Sequence, residues 1–339
     1  MHDTHVSLAH GNGGRRMREL IDAVFARHLG NPDLDTAADA VSISVGSGEI
    51  VVTTDGFTVQ PLIFPGGDIG SLAVHGTAND LAVVGATPLY FTLNAFIEEG
   101  FAMNRLEGIV ANMAEAARAI GARVVAGDTK VLRRGEGGGI YFAMTGIGMR
   151  PSDIGLGMDK IQEGDVILVS GPVGDHGVAV LLAREEFGLR GDLQSDSAHI
   201  LPITRTLLPL PGLRFMRDPT RGGLATVAHE ICRGTGLGVR LKQSAIPVRD
   251  SVQTVCEILG YDPLYLACEG RVVIVVAPDK ADEALAICRA VEGGRKAAII
   301  GTVQGTARQT TLQHVIVETE FGGERILEEL EDDPLPRIC

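Results

Sequence analysis

The sequence predicts an α/β protein, mixed with α+β character, built from two domains that each combine a mixed sheet with helices. Three observations carry this. The chain has 339 residues, 45% of them hydrophobic, and at roughly 150 residues per domain that is two cores rather than one. Short β-rich runs alternate with segments whose apolar residues recur every three or four positions. A stretch of turn formers, PSDIGLGMDKIQEGD at 151–165, separates two such halves. The expected divisions are 1–150, 151–330 as an α/β sandwich, and a tail at 331–339.

In the first half, Met17, Leu20, Ile21, Val24, Phe25 and Leu29 share one helix face. VSISV (41–45) and EIVVTT (49–54), separated by Gly-Ser-Gly, read as a hairpin that ends at Asp55-Gly56. Residues 70–84 read as a helix of small residues suited to close packing, and PLYFTLNAFI (88–97) as a strand. NRLEGIVANMAEAARAIG (104–121) carries the clearest apolar stripe, with Asn104 placed to cap its start and Gly121 its end. ARVVAGDTKV follows as a strand running into a polar loop, and 140–149 is another buried strand.

The second half opens with a strand at 165–171. Helical patterns lie near 176–186, 197–208, 223–234, 250–260 and 279–292, and strands at 271–277, 297–303 and 311–317. Each sheet is expected to carry helices on one face. EDDPLPRIC, with two prolines and a charge run, reads as an extended, mobile arm.

Several function classes are disfavoured. Lys and Arg total 30 against 43 Asp and Glu, a net charge of −13. Phosphate-backbone readers and ligands of anionic membranes are normally basic. No apolar stretch approaches a membrane span or a signal peptide. The five cysteines (232, 256, 268, 288 and 339) form no C-x-x-C pair, so neither a disulfide framework nor a structural zinc site is expected. Four read as small buried hydrophobes, and the compartment expected is the cytoplasm. P-loop, Rossmann and nucleophile-elbow patterns are missing. Of two glycine-rich segments, Gly11-Asn12-Gly13-Gly14 is the better phosphate candidate, because it precedes a helix, and Gly135–Gly139 the weaker.

Carboxylates at segment ends are more informative. Asp55, Asp68, Asp128 and Asp218 each stand beside turn or glycine signals, Asp80 stands on a helix otherwise made of small apolar residues, and each alone is most often a cap or a turn residue. Together they suit Mg²⁺, which takes a few carboxylates plus substrate phosphates. Lys130, two residues past Asp128, suits a phosphate or a leaving oxyanion. Asp175-His176-Gly177, after the 165–170 strand, reads equally as a cap.

TTDGFTVQPLIFPGGDIGSLAVHGTANDLAVVGATPLY, VVAGDTKV, GDHG, RDPTRGGLA, DPLYLACEG and the final LPRIC stand in the order of a known family. The chain resembles, over nearly its whole length, the HypE carbamoyl dehydratases of nickel–iron hydrogenase maturation. They are similar in fold to aminoimidazole ribonucleotide and selenophosphate synthetases. The resemblance implies a homodimer whose N-terminal sheets close a barrel. It implies ATP and Mg²⁺ as cofactors, a carbamoyltransferase (HypF) that loads Cys339, and an iron-carrying HypC–HypD complex that accepts cyanide. The implied reaction is ATP-dependent dehydration of the Cys339 thiocarbamate to a thiocyanate, with Glu269 as base and Lys130 beside the carboxamide. ATP is expected at Gly11, Asn12, Gly13, Gly14, Asp55, Asp80, Asp128 and Thr129, and the metal at Asp55, Asp80, Asp218 and Asp68. Cys268 stands where the resemblance leads one to expect Asn. The runner-up reading is a small-molecule, purine-type synthetase, and a third is a carrier whose tail only delivers a group.

Overall fold

The computed structural model describes residues 3–11, 15–34, 36, 45–185, 188–305, 314–331, 335 and 337–339. The contacts divide the chain into two units: Met1–Leu81, Ala86–Pro151 and Cys339 in one, Ala82–Gly85 and Ser152–Ile338 in the other. Most of the 41–45 strand, residues 12–14, 311–313 and most of the tail's acidic and proline positions lie outside the described residues.

The first unit begins with α1 (Arg15–Leu20), which runs through a π-helical turn (Ile21–Ala26) into α2 (Arg27–Leu29). There follow β1 (Glu49–Phe57), the short β2 (Ile63–Phe64) and β3 (Gly67–Asp68), α3 (Ile69–Val83), β4 (Thr87–Glu98), α4 (Met103–Ile120), β5 (Arg123–Leu132) and β6 (Ile140–Arg150). Four strands form one sheet in the order β1-β6-β4-β5, with β4 and β5 parallel and the other pairs antiparallel. β5 continues through Asp128–Lys130, which corrects the expectation of a loop there: its ladder with β4 runs on from Asn94↔Asp128 to Glu98↔Leu132. α4 starts after Ala102 with no side-chain cap, so Asn104 does not serve as one, whereas Gly121 does end it, at φ 83°.

α3 is apolar almost all round, as a helix pressed into a core must be. Glycines in β6 let it approach the sheet. A Cβ on Gly146 would meet Thr77 Cγ2 at 2.7 Å and Leu81 Cδ1 at 3.1 Å. On the other side, alternate residues along β1 are open, with Ile50 and Val52 56% and 62% exposed, while Phe57 is buried.

The second unit contains β7 (Val166–Val169), α5 (Asp175–Arg184), α6 (Leu201–Leu207), β8 (Leu213–Arg217), α7 (Gly223–Thr235), β9 (Gly238–Lys242), α8 (Asp250–Leu259), β10 (Val273–Val276), α9 (Ala281–Ala290), β11 (Ala298–Gln304), β12 (Val315–Glu318) and β13 (Glu324–Leu327). Its seven strands run β13-β12-β9-β11-β7-β10-β8, antiparallel except for β12 beside β9. All four residues of β10 are fully buried, so both of its faces are covered. Leu224, Val227, Ala228 and Ile231 of α7 pack with Ile167, Val169, Val273 and Val275. α9 lies over β7 and β11 and packs against α6. Helices on both faces correct the one-faced expectation for this unit. The sheet's central strands are uniformly apolar, as strands covered on both faces are.

Candidate active site

In the first unit the candidates gather on the four-stranded sheet. β1 turns Thr53 and Asp55 to the side that faces α3, where Thr53 Oγ1 donates to Asp80 Oδ2 at 2.7 Å. The bond orients the carboxylate. Gly146 lies directly opposite Thr53 in the ladder. Asp55 Oδ1 accepts from the Gly56 N–H at 2.8 Å.

Along β5, Thr129 is buried, whereas Asp128 and Lys130 are about half exposed and form an ion pair of 2.9 Å. The bonded Lys130 ammonium holds the Asp128 carboxyl below its ordinary range. Alternation thus divides these candidates between the faces of the sheet: Asp55, Asp80 and Thr129 inward, Asp128 and Lys130 outward. Gly11 ends a 3₁₀ turn (Leu8–Gly11) seated on β5, so close that a Cβ would lie 2.8 Å from Val131 Cβ. Asn12, Gly13 and Gly14 are outside the described residues.

Asp68 has another task. Its Oδ1 accepts from the N–H groups of Gly70 (2.8 Å) and Ser71 (2.9 Å), and its Oδ2 from Asn112 Nδ2 (2.5 Å). Oδ1 of this buried residue thus caps the start of α3, and Oδ2 ties it to α4. Among the described residues, no group of three or more His, Cys, Asp or Glu side chains is placed to hold a metal ion. Mg²⁺ is often held by only one or two carboxylates plus phosphates, and Asp80 and Asp55 stand on the same side of the sheet.

The second glycine-rich segment is also accounted for. Glu98 Oε1 accepts from the Gly135 N–H at 2.6 Å and Oε2 from the Gly139 N–H at 3.0 Å. These bonds, Gly135's first, hold the Glu98 carboxyl below its ordinary value. A lowered carboxyl stabilises the fold above its unfolded pKa and loses that contribution as pH falls through the folded one. Glu98→Gln should therefore speed amide exchange at Gly135 and Gly139 at pH 7. The difference from the parent chain should shrink in acid, once Glu98 itself is protonated. Equal exchange at neutral pH would show that the carboxylate does not order this loop.

In the second unit the candidates surround the segment 266–271. Glu269 is 2% exposed, and its N–H donates to Asp196 Oδ1 at 3.1 Å. The Cys268 N–H donates to the Pro219 carbonyl at 2.9 Å, which ties Asp218-Pro219 alongside Glu269. Cys268 Sγ accepts from the Gly174 N–H at 3.2 Å, so the thiol fills a polar role where Asn was expected. Arg271 lies within 3.4 Å of Asp175 and 3.3 Å of Asp196, and Arg249 donates to Asp175 at 2.8 Å. Burial pushes the Asp175 carboxyl up, and the Arg249 hydrogen bond opposes it.

Asp196, Arg249 and Arg271 were missed in the sequence. The only signal was an Arg directly after Glu269-Gly270. Asp175, weighed as a helix cap, is instead the hub of this buried ion network. Among the cysteines, 232, 256, 268 and 288 are buried and Cys339 is half-buried. Burial pushes the first, second and fourth of these thiols up to about 11, about 12 and about 12, and raises Cys268 well above its ordinary value.

Residues 37–150 match the N-terminal domain of AIR synthase related proteins, and 162–312 match the C-terminal domain. The carbamoyl dehydratase HypE of Azotobacter vinelandii is 45% identical over 98% of this chain and 97% of its own. The chain belongs to the HypE family of carbamoyl dehydratases. A HypE crystal structure in complex with ATP superposes with a TM-score of 0.93 at 42% identity, covering 98% of this chain and 99% of that one. A chain of a HypE–HypF complex superposes with a TM-score of 0.79 at 42% identity, over 92% of this chain and 99% of that one. No helix among the described residues of this HypE-family chain is long and apolar enough to cross a membrane.

Proposed function

We propose that the chain dehydrates a carbamoyl group carried on its own Cys339, at the expense of ATP, to give the thiocyanate that supplies cyanide ligands during nickel–iron hydrogenase maturation. The observation that carries this is the contrast among the thiols: four are buried with raised pKa values, and only Cys339 is not buried. Phosphorylation of the carbamoyl oxygen by ATP turns a poor leaving group into phosphate, whose charge Mg²⁺ held by the carboxylates named below would screen. Glu269 takes the protons from the carbamoyl nitrogen, and Lys130 stabilises the departing phosphate. The nucleotide candidates are Thr129, Asp128, Asp55, Asp80 and the Gly11–Gly14 loop, and the metal candidates are Asp80, Asp55, Asp218 and Asp68.

A HypF-type carbamoyltransferase loads the sulfur, and a HypC–HypD-type complex accepts the cyano group. The tail swings between a pose open to these partners and a docked one. The open face of β1, with Ile50 and Val52, supports a homodimer that covers it. The protein works in the cytoplasm. Intact-mass measurement after incubation with the carbamoyltransferase, carbamoyl phosphate and ATP tests the whole reading: the tail should gain a carbamoyl group and then lose one water. A small-molecule synthetase would stay active without Cys339.

Asp80→Asn should abolish ATP turnover with little loss of fold, because it removes charge without changing volume. Asp80 accepts from Thr53, a bond that an amide oxygen can also accept, so the amide fits but ligates Mg²⁺ poorly. Normal hydrolysis of Mg-ATP by the variant would reduce Asp80 to a structural partner of Thr53.

A further inference from the structure

His176 has no part in the chemistry assigned above, yet it is fully buried with both nitrogens engaged. Nδ1 lies 2.7 Å from Ser195 Oγ, and Nε2 lies 2.8 Å from the main-chain oxygen of Ile338. A carbonyl only accepts, so Nε2 carries the proton and Nδ1 accepts from the Ser195 hydroxyl. The Ser197 N–H donates to the same hydroxyl at 3.0 Å, which directs its proton to the imidazole. Burial lowers the His176 pKa, which keeps the ring in this neutral form.

Other contacts fix the same end of the chain. Leu335 and Ile338 are buried in a cluster with Val178, Leu182, Leu266 and Ala267. Arg184 donates to the main-chain oxygen of Arg337 at 2.8 Å. Arg337 itself has φ +57°, a conformation that an L-residue keeps only where its surroundings impose it. Each neighbour of the imidazole is braced in turn. Asp175 precedes His176, Asp196 follows Ser195, Arg271 bridges the two carboxylates, and Asp196 accepts the main-chain N–H of Glu269.

We propose that His176 is a positioning residue for the substrate tail: its Nε2–H grips the Ile338 carbonyl, one residue before the reacting sulfur, on a frame shared with Glu269. The grip reads main chain and an apolar side chain, so it fixes where the sulfur stands without touching the carbamoyl group. This rests on the reading of Cys339 as the carrier.

Alkylation of the full chain by iodoacetamide, without ATP or partners, tests the grip directly. The other four thiols are buried, so the first adduct reports Cys339. His176→Asn, whose amide is too short to reach the carbonyl, should be alkylated about tenfold faster than the parent chain, the effect of one lost buried hydrogen bond. His176→Gln, whose amide nitrogen can stand where Nε2 stands, should stay within about twofold, since its hydrogen bond survives. Equal rates for the parent and Asn chains, or a Gln chain as fast as the Asn one, overturn the proposal. If melting shows the Asn chain unfolded, Ser195→Ala, which keeps the imidazole but removes its orienting hydroxyl, carries the same expectation and the same refutation. Water loss from the carbamoylated tail should slow about tenfold in the Asn chain at unchanged ATP affinity. Should the parent chain itself lose no water, the reading of Cys339 fails, while the alkylation ratio still decides the role of His176.

Discussion

Cys339→Ser should reduce carbamoyl loading and dehydration to background while leaving ATP affinity and the fold unchanged. The hydroxyl is far less nucleophilic than a thiolate at neutral pH. The hydrogen bonds from Thr58 are indifferent to the change. The Thr58 N–H and Oγ1 donate to the main-chain oxygen of Cys339 at 3.0 and 3.2 Å, and that oxygen is untouched in the variant. The result is read by intact mass after incubation with the carbamoyltransferase, carbamoyl phosphate and ATP, alongside nucleotide titration. Turnover of a free small substrate by the Ser chain would instead favour the synthetase reading.

Glu269→Gln should slow water loss from a preloaded tail by about 10²–10⁴-fold, the usual worth of a general base. The change is isosteric, and the main-chain N–H that anchors Glu269 to Asp196 remains, so the melting temperature should hold. Lys130→Ala should cost about 10²–10³-fold at the same step by removing a cation from the departing phosphate. It frees Asp128 from its ion pair, but both groups are exposed, so stability should barely move. Single-turnover rates separate the roles. A base lost at Glu269 should be partly recovered at higher pH, whereas a cation lost at Lys130 should not. Unimpaired dehydration by the Gln chain would sink the assignment of Glu269.

The helices were legible where the apolar period was long and one-sided, as in α4. α3 was legible for a different reason, its run of small apolar residues. β8 (LRFMR), β9 (GVRLK) and β13 (ERIL) were missed. Each is only four or five residues long and carries charge, and it becomes a strand only because neighbours supply its partners. β5 was cut short for a related reason: Asp128-Thr129-Lys130 has loop chemistry, and only pairing with β4 keeps it extended.

At the site, residues whose chemistry is plain in a motif were found as candidates. The cap that Asp68 makes at the start of α3 was not singled out, because a buried cap and a metal ligand look alike in sequence. Asp196, Arg249 and Arg271 were invisible because their meaning lies in mutual distance: Arg249 stands 74 positions from the Asp175 it holds. No local pattern encodes that separation.

Gly146 shows where a genetic screen would look differently from a chemist. It has no side chain to donate, accept or ionise, and any list of functional groups passes over it. Yet it faces Thr53 across the ladder, and α3 rests against the space where its Cβ would be. An added methyl must displace Thr77 or Leu81, one turn and one residue from Asp80. An unbiased search for inactive but folded alleles should therefore recover Gly146 as readily as the carboxylates it helps to aim. Suppressors of such alleles should map to shortened side chains at Thr77 or Leu81.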